Sequence, residues 1–210
     1  MHSIWNEIKK ICHESTYEII IFEGTLENGQ RECEKLNISN DLVLASVVKN
    51  CNGISIDNWI RILGQGNQIR NGVLYYNTLL LDDSCLNGMF IVGNDVVGGI
   101  FAINTSKFGI DKYMVWYFAP DTLEWESLGM KYADFIAWAV QGNINEFYES
   151  MRWCTWKNDC KKIHSDFGCL IYPFLWAKEC DINTATKKSV SFDELMKLNF
   201  DYSKKLFVGD

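Results

Sequence analysis

Residues 88–104 read GMFIVGNDVVGGIFAIN, and this stretch decides the fold class of the chain. Its two apolar runs, GMFIV and VVGGIFAIN, flank the polar step Gly93-Asn94-Asp95, a pattern that predicts a β-hairpin. The next run, YMVWYF at 113–118, is apolar on both faces and therefore predicts a central strand covered on both sides. Together these runs predict a sheet whose strands are mainly antiparallel.

Helices and further strands surround this hairpin in the sequence. More strands are predicted where β-branched and aromatic residues cluster, at 16–24, 54–63, 123–126 and 169–175. Helices are predicted where apolar residues recur at intervals of three and four, at 3–13, 131–141 and 192–206. Residues 41–50 fit a helix and a strand equally well, and residues 64–72 predict a loop. Asn143 and Ser191 each stand three residues before a glutamate, which predicts helix N-caps. The predicted fold is a single α+β domain over 1–210, a mainly antiparallel sheet with helices packed on it.

The composition is that of a folded, mildly acidic protein. The 210 residues include 27 Asp and Glu against 20 Lys and Arg, a formal net charge of −7, and 48% are hydrophobic. This hydrophobic content excludes intrinsic disorder. The acidic balance argues against general nucleic-acid binding, because phosphate contacts need clustered Lys and Arg. No window approaches the roughly 18 consecutive apolar residues of a membrane span, so none is predicted.

The eight cysteines are interpreted as small buried hydrophobic residues. Residues 1–14 lack the apolar region of a signal peptide, so we expect a cytoplasmic protein with reduced thiols. No two cysteines have CxxC spacing, the nearest pair being Cys154 and Cys160, and only three histidines could add ligands. We therefore expect neither a metal site nor a cofactor.

Catalytic motifs are scarce in this sequence, so no catalytic residue is predicted. GxSxG, HExxH and Walker-type loops are all absent. The step Gly64-Gln65-Gly66 lacks the third glycine of a dinucleotide-binding loop, and a plain turn is predicted there. Gly98-Gly99 lies inside a strand pattern and predicts a bulge, or room for the large ring of Trp116 or Trp138.

The segment 121–149 concentrates acidic and aromatic residues, with six acids against one lysine. One interpretation is that the acids form the solvated face of a packed core. The same interpretation applies to Glu124 and Glu126, which stand two residues apart and therefore lie on one face of the predicted strand. The other is an acidic surface that receives a basic protein, because opposite charge steers such an encounter. The residues assigned to this surface are Asp121, Glu124, Trp125, Glu126 and Asp134.

A small-ligand or enzymatic pocket is the alternative, since polar groups beside Gly and Trp can orient a ligand. The residues that could line it are Trp59, Arg61, Asn67, Asp95, Asn104, Tyr117, Asp121 and Arg152. Three of them also have structural interpretations: Asp95 as a turn residue, Asp121 as an Asx-turn, and Arg152 as a partner of helix carboxylates. A deep pocket where these side chains converge would favour the ligand, and a shallow acidic face would favour a protein partner.

Six segments are distinctive: NWIRILGQGN (58–67), NDVVGGIFAIN (94–104), VWYFAPDTLEWESLGMKYADFIAWAVQGN (115–143), FYESMRW (147–153), YPFLWAKE (172–179) and KKSVSFDEL (187–195). In this combination they resemble one bacterial family, known as domain-of-unknown-function family 2625. The resemblance runs from about Ile54 to Glu194 and is weaker in the N-terminal third. The sequence departs from the family at Asn104-Thr105, where more glycines are expected. The family name implies no activity.

A looser similarity concerns the order of elements: Asp95, the Gly98-Gly99 strand, an aromatic strand, and a helix from Tyr132 to Trp138. This order is similar to the SMI1/KNR4 (SUKH) group, whose α+β domains often act as immunity proteins that bind and neutralise toxins. The similarity implies a non-enzymatic binding protein whose partner is a basic toxin or effector. A third, structural option is a homo-oligomer joined through exposed tryptophans.

Overall fold

The computed structural model of the chain describes residues 3–39, 42–79 and 83–207. Seven strands form one antiparallel sheet in which each strand pairs with the next one along the sequence. They are β1 (Ile19–Glu23), β2 (Cys51–Ile56), β3 (Ile60–Ile62), β4 (Met89–Asp95), β5 (Ile100–Asn104), β6 (Val115–Ala119) and β7 (Glu124–Met130). Two further strands, β8 (Phe167–Tyr172) and β9 (Thr186–Ser191), pair with each other in a separate sheet. The mainly antiparallel sheet is therefore confirmed.

Helices precede, interrupt and follow the sheet strands in the described residues. They are α1 (Ile4–His13), α2 (Leu26–Lys35), α3 (Val43–Asn50), α4 (Val73–Leu79), α5 (Tyr132–Gln141), α6 (Ile144–Phe147), α7 (Trp156–Cys160) and α8 (Phe192–Phe207). A short 3-10 turn, Glu149–Met151, follows α6. This mixture of helices with an antiparallel sheet confirms the α+β class.

The sheet lies between two layers of helices, as neighbouring positions of β6 show. Tyr117 pairs across the strands with Phe101, whose ring centroid lies 4.8 Å from that of Phe135 in α5. Phe118 points to the opposite face, where its ring centroid lies 5.0 Å from that of Phe200 in α8. All five residues of β6 are buried, which confirms a strand covered on both sides, although it is the sixth of seven strands rather than the central one.

Two predicted helix caps are confirmed by hydrogen bonds. Asn143 Oδ1 accepts the backbone N–H of Glu146 at 3.4 Å, and its Nδ2 donates to the Glu146 carboxylate at 2.8 Å. Ser191 Oγ accepts the backbone N–H of Glu194 at 3.3 Å. Each cap satisfies a backbone donor that the first helical turn leaves without a partner.

The single strand predicted at 54–63 is wrong, because the chain reverses inside it. Residues 57–59 form a turn between β2 and β3, and Ile56 pairs directly with Ile60. Asp57 and Asn58 have φ angles of 52° and 54°, a left-handed conformation that Asp and Asn tolerate better than other side chains. The turn thus uses the two residue types best suited to it.

The predicted hairpin forms, but its turn lies later than Gly93-Asn94-Asp95. These three residues belong to β4, and the chain turns at 96–99. Asp95 Oδ1 accepts the N–H groups of Val97 at 3.0 Å and Gly99 at 2.8 Å, and Gly98 has a φ of +100°. The carboxylate therefore closes the turn from its first residue, and glycine supplies the left-handed step.

Other differences concern short or polar elements. The sequence did not predict α2, α4, α7 or β9, and the strand predicted at 169–175 ends at Tyr172. Residues 43–50 of the ambiguous segment form a helix, α3, with Leu44, Val47 and Val48 buried. The loop predicted at 64–72 is confirmed, since no helix or strand lies there.

Candidate functional site

A cavity of about 240 Å³ opens beside the first three strands of the sheet. Its floor includes a row of cross-strand partners on β1, β2 and β3, namely Ile20, Ser55 and Arg61. Its walls come from residues 70–71 in the loop before α4, from Tyr76 of α4, and from residues 163–166 before β8. Parts of the chain that are distant in sequence therefore meet at one small cavity.

Arg61 places a buried guanidinium in this cavity, with 7% of the residue exposed. Its Nη1 donates hydrogen bonds to the backbone oxygen of Ser165, at 2.8 Å, and to that of Phe167. None of the ion pairs among the described residues involves Arg61. Burial lowers its pKa, because removal from water disfavours the charged form. The carboxylates of Asp166 and Asp95 act on this cation electrostatically, but without an ion pair, so direct contact with an anion would add a charge-assisted hydrogen bond.

Arg70 brings a second guanidinium to the cavity from the loop over β1. Its guanidinium carbon lies 3.7 Å from the ring centroid of Phe22, and its Nε is buried without a hydrogen-bond partner. Asn67 holds this loop, since its Oδ1 accepts the backbone N–H groups of Ile69 and Arg70, both at 2.8 Å. Asn67 was a predicted pocket residue, and the structure makes it the anchor of a cavity wall.

Asp166 is the acidic residue of the cavity. Its Oδ1 accepts the backbone N–H of Asn71 at 3.0 Å, whereas its Oδ2 has no hydrogen bond to the described residues. Burial raises the pKa of this carboxyl, and the charges of His164, Arg61 and Arg70 act in the opposite direction. Neither arginine forms an ion pair with it. Opposite charges therefore line one cavity without touching.

The cavity offers binding groups rather than a nucleophile with its base. Ser165 Oγ is buried there without a hydrogen-bond partner, so the hydroxyl–base contact of nucleophilic catalysis is missing at this residue. The described residues contain no cluster of three His, Cys, Asp or Glu side chains that could hold a metal ion. Within the same residues no helix is both long and apolar enough to cross a membrane.

Asp95 and Tyr117, both predicted pocket residues, meet instead in the solid core. Asp95 Oδ2 accepts hydrogen bonds from the hydroxyls of Tyr117 at 2.6 Å and Tyr148 at 3.0 Å. Burial raises the pKa of Asp95, while these hydroxyls and two backbone N–H groups lower it. A Cβ on Gly99 would collide with Asp95 and the Tyr117 ring. The ring that needs the glycine is therefore Tyr117, and the assignment of Trp116 or Trp138 was wrong.

Arg152 and Trp59 also pack together rather than line a cavity. The Arg152 guanidinium carbon lies 4.0 Å from the ring centroid of Trp156 and 4.9 Å from that of Trp59. Its Nη1 donates to Asn145 Oδ1 at 2.6 Å, so its side-chain partner is an amide and the predicted helix carboxylate was wrong.

Asn104 Nδ2 donates to the backbone oxygens of Phe108 and Ile110 at 3.0 and 2.9 Å. It therefore holds a loop, and of the eight predicted pocket residues Arg61 alone lines the cavity described above.

The acidic segment is distributed over several elements. Glu124, Glu126 and Asp134 are exposed, and Asp121 is half-buried in a hollow of about 400 Å³ that Asp181 also lines. Burial raises the pKa of Asp121. Glu124, Glu126 and Asp134 are thus solvated groups on a strand and a helix, whereas Asp121 is partly withdrawn from water in the hollow.

Trp125 is partly buried within this segment. Its ring centroid lies 5.4 Å from that of Phe118, and its Nε1 donates to the backbone oxygen of Cys85 at 3.1 Å. Glu124 and Trp125 share an open groove with Lys107 and Lys204, so that groove carries both signs of charge. All eight tryptophans lie within the described ranges, three of them buried and five half-buried, and the homo-oligomer joined through tryptophans stays a prediction.

Sequence reasoning missed Arg70 and Asp166, the other two charges of the cavity. Arg70 follows the GxG loop, so its position could have been suspected from the turn beside β3. No local signal marks Asp166, because the contact of residues 165–167 with Arg61 spans more than a hundred residues of sequence.

Comparison with known proteins agrees with the resemblance drawn from the six segments. The family described as "Protein of unknown function DUF2625" matches residues 1–195, including the N-terminal third. The protein YbfG of Escherichia coli (strain K12) is 31% identical over 201 residues, which cover 94% of this chain and 91% of YbfG. A protein of Haemophilus influenzae (strain Rd) is 24% identical over 209 residues, 97% of this chain and 92% of that protein. The similarity to the SMI1/KNR4 group stays a prediction from the order of elements. By the extent of the family match, the chain belongs to the DUF2625 family.

Proposed function

We propose that the protein binds a small molecule with an anionic group in the cavity beside Arg61. The observation that carries this proposal is the buried guanidinium of Arg61, which has backbone carbonyls but no carboxylate as partners. Burying a charge that is not directly paired with an opposite charge is costly, and a ligand carboxylate or phosphate would supply that partner through charge-assisted hydrogen bonds.

The size and lining of the cavity agree with a metabolite-sized ligand. Its volume of about 240 Å³ lies below the range of roughly 300–1,000 Å³ typical of sites for drug-sized ligands. Arg70 adds a second positive group, while Ile20 and Phe22 add apolar surface. A few fixed polar groups among apolar side chains are the usual construction of a small-ligand site.

Titration calorimetry with 4-methylpentanoate and with inorganic phosphate tests this function. We expect the protein to bind at least one of them, and we expect Arg70→Met to weaken that binding at least tenfold. Arg61→Met should abolish it, with circular dichroism to check that the buried substitution leaves the protein folded. Arg31→Met is the matched control, because Arg31 is exposed and pairs with Glu27 on α2. Absence of binding to these two probes and to L-leucine, the amino-acid analogue of 4-methylpentanoate, in the wild-type protein would overturn the proposal.

A second candidate is the binding function predicted from charge, an immunity-type domain that neutralises a basic toxin or effector. The observation in its favour is that Asp121, Glu124, Glu126 and Asp134 form none of the ion pairs among the described residues. Free carboxylates of this kind can steer a basic partner. The eight free thiols fit the cytoplasmic location that belongs to this candidate.

Co-purification with a basic effector encoded beside this gene tests the second candidate. Reversal of charge at Glu124, Glu126 and Asp134 should weaken such a complex and make its affinity less dependent on salt. Glu7→Lys, an exposed change on α1, is the matched control. Equal affinities for the reversed and wild-type proteins would remove this surface as the binding site.

A further inference from the structure

We propose that the ligand of this cavity is an amino acid with an aliphatic side chain, its carboxylate bound at Arg61 and its ammonium group at Asp166. This inference rests on the proposed small-ligand function and adds the chemical class of the ligand. It is drawn from the two charges and the apolar surface that line the same cavity.

The positive side of the cavity has free donors for a carboxylate. The hydrogen bonds of Arg61 to backbone oxygens use Nη1, so the rest of the guanidinium stays available to a ligand. Arg70 also lines the cavity and forms none of the ion pairs among the described residues, so it adds positive charge on this side. Planar guanidinium groups match the geometry of a carboxylate, which can accept two parallel hydrogen bonds.

The negative side has one free oxygen for a cation. Asp166 Oδ1 is engaged by the backbone N–H of Asn71, whereas Oδ2 has no hydrogen bond to the described residues. An ammonium group placed there would complete the hydrogen bonding of the carboxylate and neutralise it. The same carboxylate would repel a phosphate or a second ligand carboxylate, which discriminates against dianions.

The two charges interact through space without forming an ion pair. Arg61 and Arg70 both lower the pKa of Asp166 electrostatically, yet neither lies within ion-pair distance of it. A zwitterion that contacts both sides would satisfy each charge with its opposite. A simple carboxylic acid would satisfy the arginines alone and leave Asp166 without a partner.

Apolar groups in the cavity favour an aliphatic side chain on the ligand. Ile20 of β1, Phe22 beside it and Ile163 of the loop before β8 all line the cavity. Ile20 is 36% exposed in the protein alone. Covering such a surface with an aliphatic group removes apolar area from water and adds to the affinity.

Calorimetry with L-leucine and its deaminated analogue, 4-methylpentanoate, tests the inference on the wild-type protein. The two probes share the carboxylate and the aliphatic chain and differ in the ammonium group. We expect L-leucine to bind at least tenfold more tightly. Equal or weaker binding of L-leucine overturns the inference while leaving the small-ligand function standing, and absence of binding by L-leucine, 4-methylpentanoate and phosphate overturns both.

The variant Asp166→Asn assigns the preference to this residue. Asparagine keeps an oxygen for the Asn71 N–H and loses the charge, so we expect L-leucine to lose at least tenfold in affinity and 4-methylpentanoate to lose none. Asp134→Asn, an exposed change on α5, is the matched control. An undiminished preference for L-leucine in Asp166→Asn would overturn the assignment of the ammonium group to this carboxylate.

Discussion

At the residue scale, Asp95 joins the turn between β4 and β5 to Tyr117 of β6 and to Tyr148, the residue after α6. It is fully buried, and its oxygens accept four hydrogen bonds, from the N–H groups of Val97 and Gly99 and the hydroxyls of Tyr117 and Tyr148. Replacement by alanine would leave four buried donors without an acceptor. We expect Asp95→Ala to lower the free energy of unfolding by about 3 kcal/mol or more, as measured by urea denaturation.

A milder change at the same network provides the control. Tyr148→Phe removes one donor and leaves Asp95 with three, so a loss of about 1 kcal/mol is expected. If Asp95→Ala and Tyr148→Phe had equal effects on unfolding, the carboxylate would not be the centre of this network.

Asp166 should leave a signature in the pH dependence of stability. Burial raises the pKa of Asp166 in the native state above the ordinary aspartate value of 3.8, which applies to the unfolded state. At a pH between the unfolded and the native pKa, the native state therefore holds a proton that the unfolded state has released. Stability contributed by this group therefore falls as the pH rises from the ordinary value through the raised one. Urea denaturation between about pH 3.5 and 7 should show this decline in the wild-type protein and a smaller one in Asp166→Asn. An identical pH profile in both proteins would contradict the prediction.

At the scale of elements, β7 is an edge strand of the seven-stranded sheet, and its exposed positions carry Glu124 and Glu126. Edge strands present free backbone groups to other chains, and charged side chains discourage such pairing. We expect the double change of Glu124 and Glu126 to valine to promote association, seen as earlier elution in size-exclusion chromatography. Glu34→Val with Glu149→Val removes the same charge from exposed positions outside the sheet. Equal elution of the two double variants would show that the edge needs no such protection.

The elements that the sequence predicted correctly are those whose burial follows a simple period. The fully apolar run of β6 indicated a strand with both faces buried. The apolar spacing of α5 and α8 indicated helices that bury one stripe of side chains. The prediction of a single strand at 54–63 was wrong for a physical reason. Ile54 pairs with Ile62 and Ile56 with Ile60, so the four isoleucines share one face across a turn as they would along one strand.

Short polar elements and long-range contacts escaped prediction. The helix α2 has the sequence LENGQRECEK, with few apolar residues, and it is supported by the Thr25 cap and by packing against α3. Of the cavity, the sequence indicated Arg61 as a polar group beside glycine and tryptophan. Arg61 contacts residues 165–167 through hydrogen bonds between distant parts of the sequence. No local sequence pattern indicates such a contact, so Asp166 could be found only from the fold.

At the scale of the whole molecule, the consecutive pairing of β1 to β7 leaves both faces of one sheet to be covered by helices. The cavity lies near the β1 edge, where the loops before α4 and β8 extend over the strands. Arg61 lies on β3 and Arg70 and Asp166 lie on these loops, and loops that a rigid sheet positions often carry binding residues. The fold by itself implies no activity, so the function rests on the charges of Arg61, Arg70 and Asp166.

The two helical layers should unfold together with the sheet as one domain over 1–210. Phe135 of α5 and Phe200 of α8 are both fully buried, and they pack against neighbouring strands on opposite faces. The second face is also joined to β8, since Cys169 N donates to Val96 O at 2.6 Å. We expect Phe135→Ala and Phe200→Ala each to cost about 3–5 kcal/mol within a single transition that circular dichroism and tryptophan fluorescence report at the same midpoint. A second transition in Phe200→Ala would mean that α8 with β8 and β9 unfolds separately from the sheet, and the chain would then contain two cooperative units.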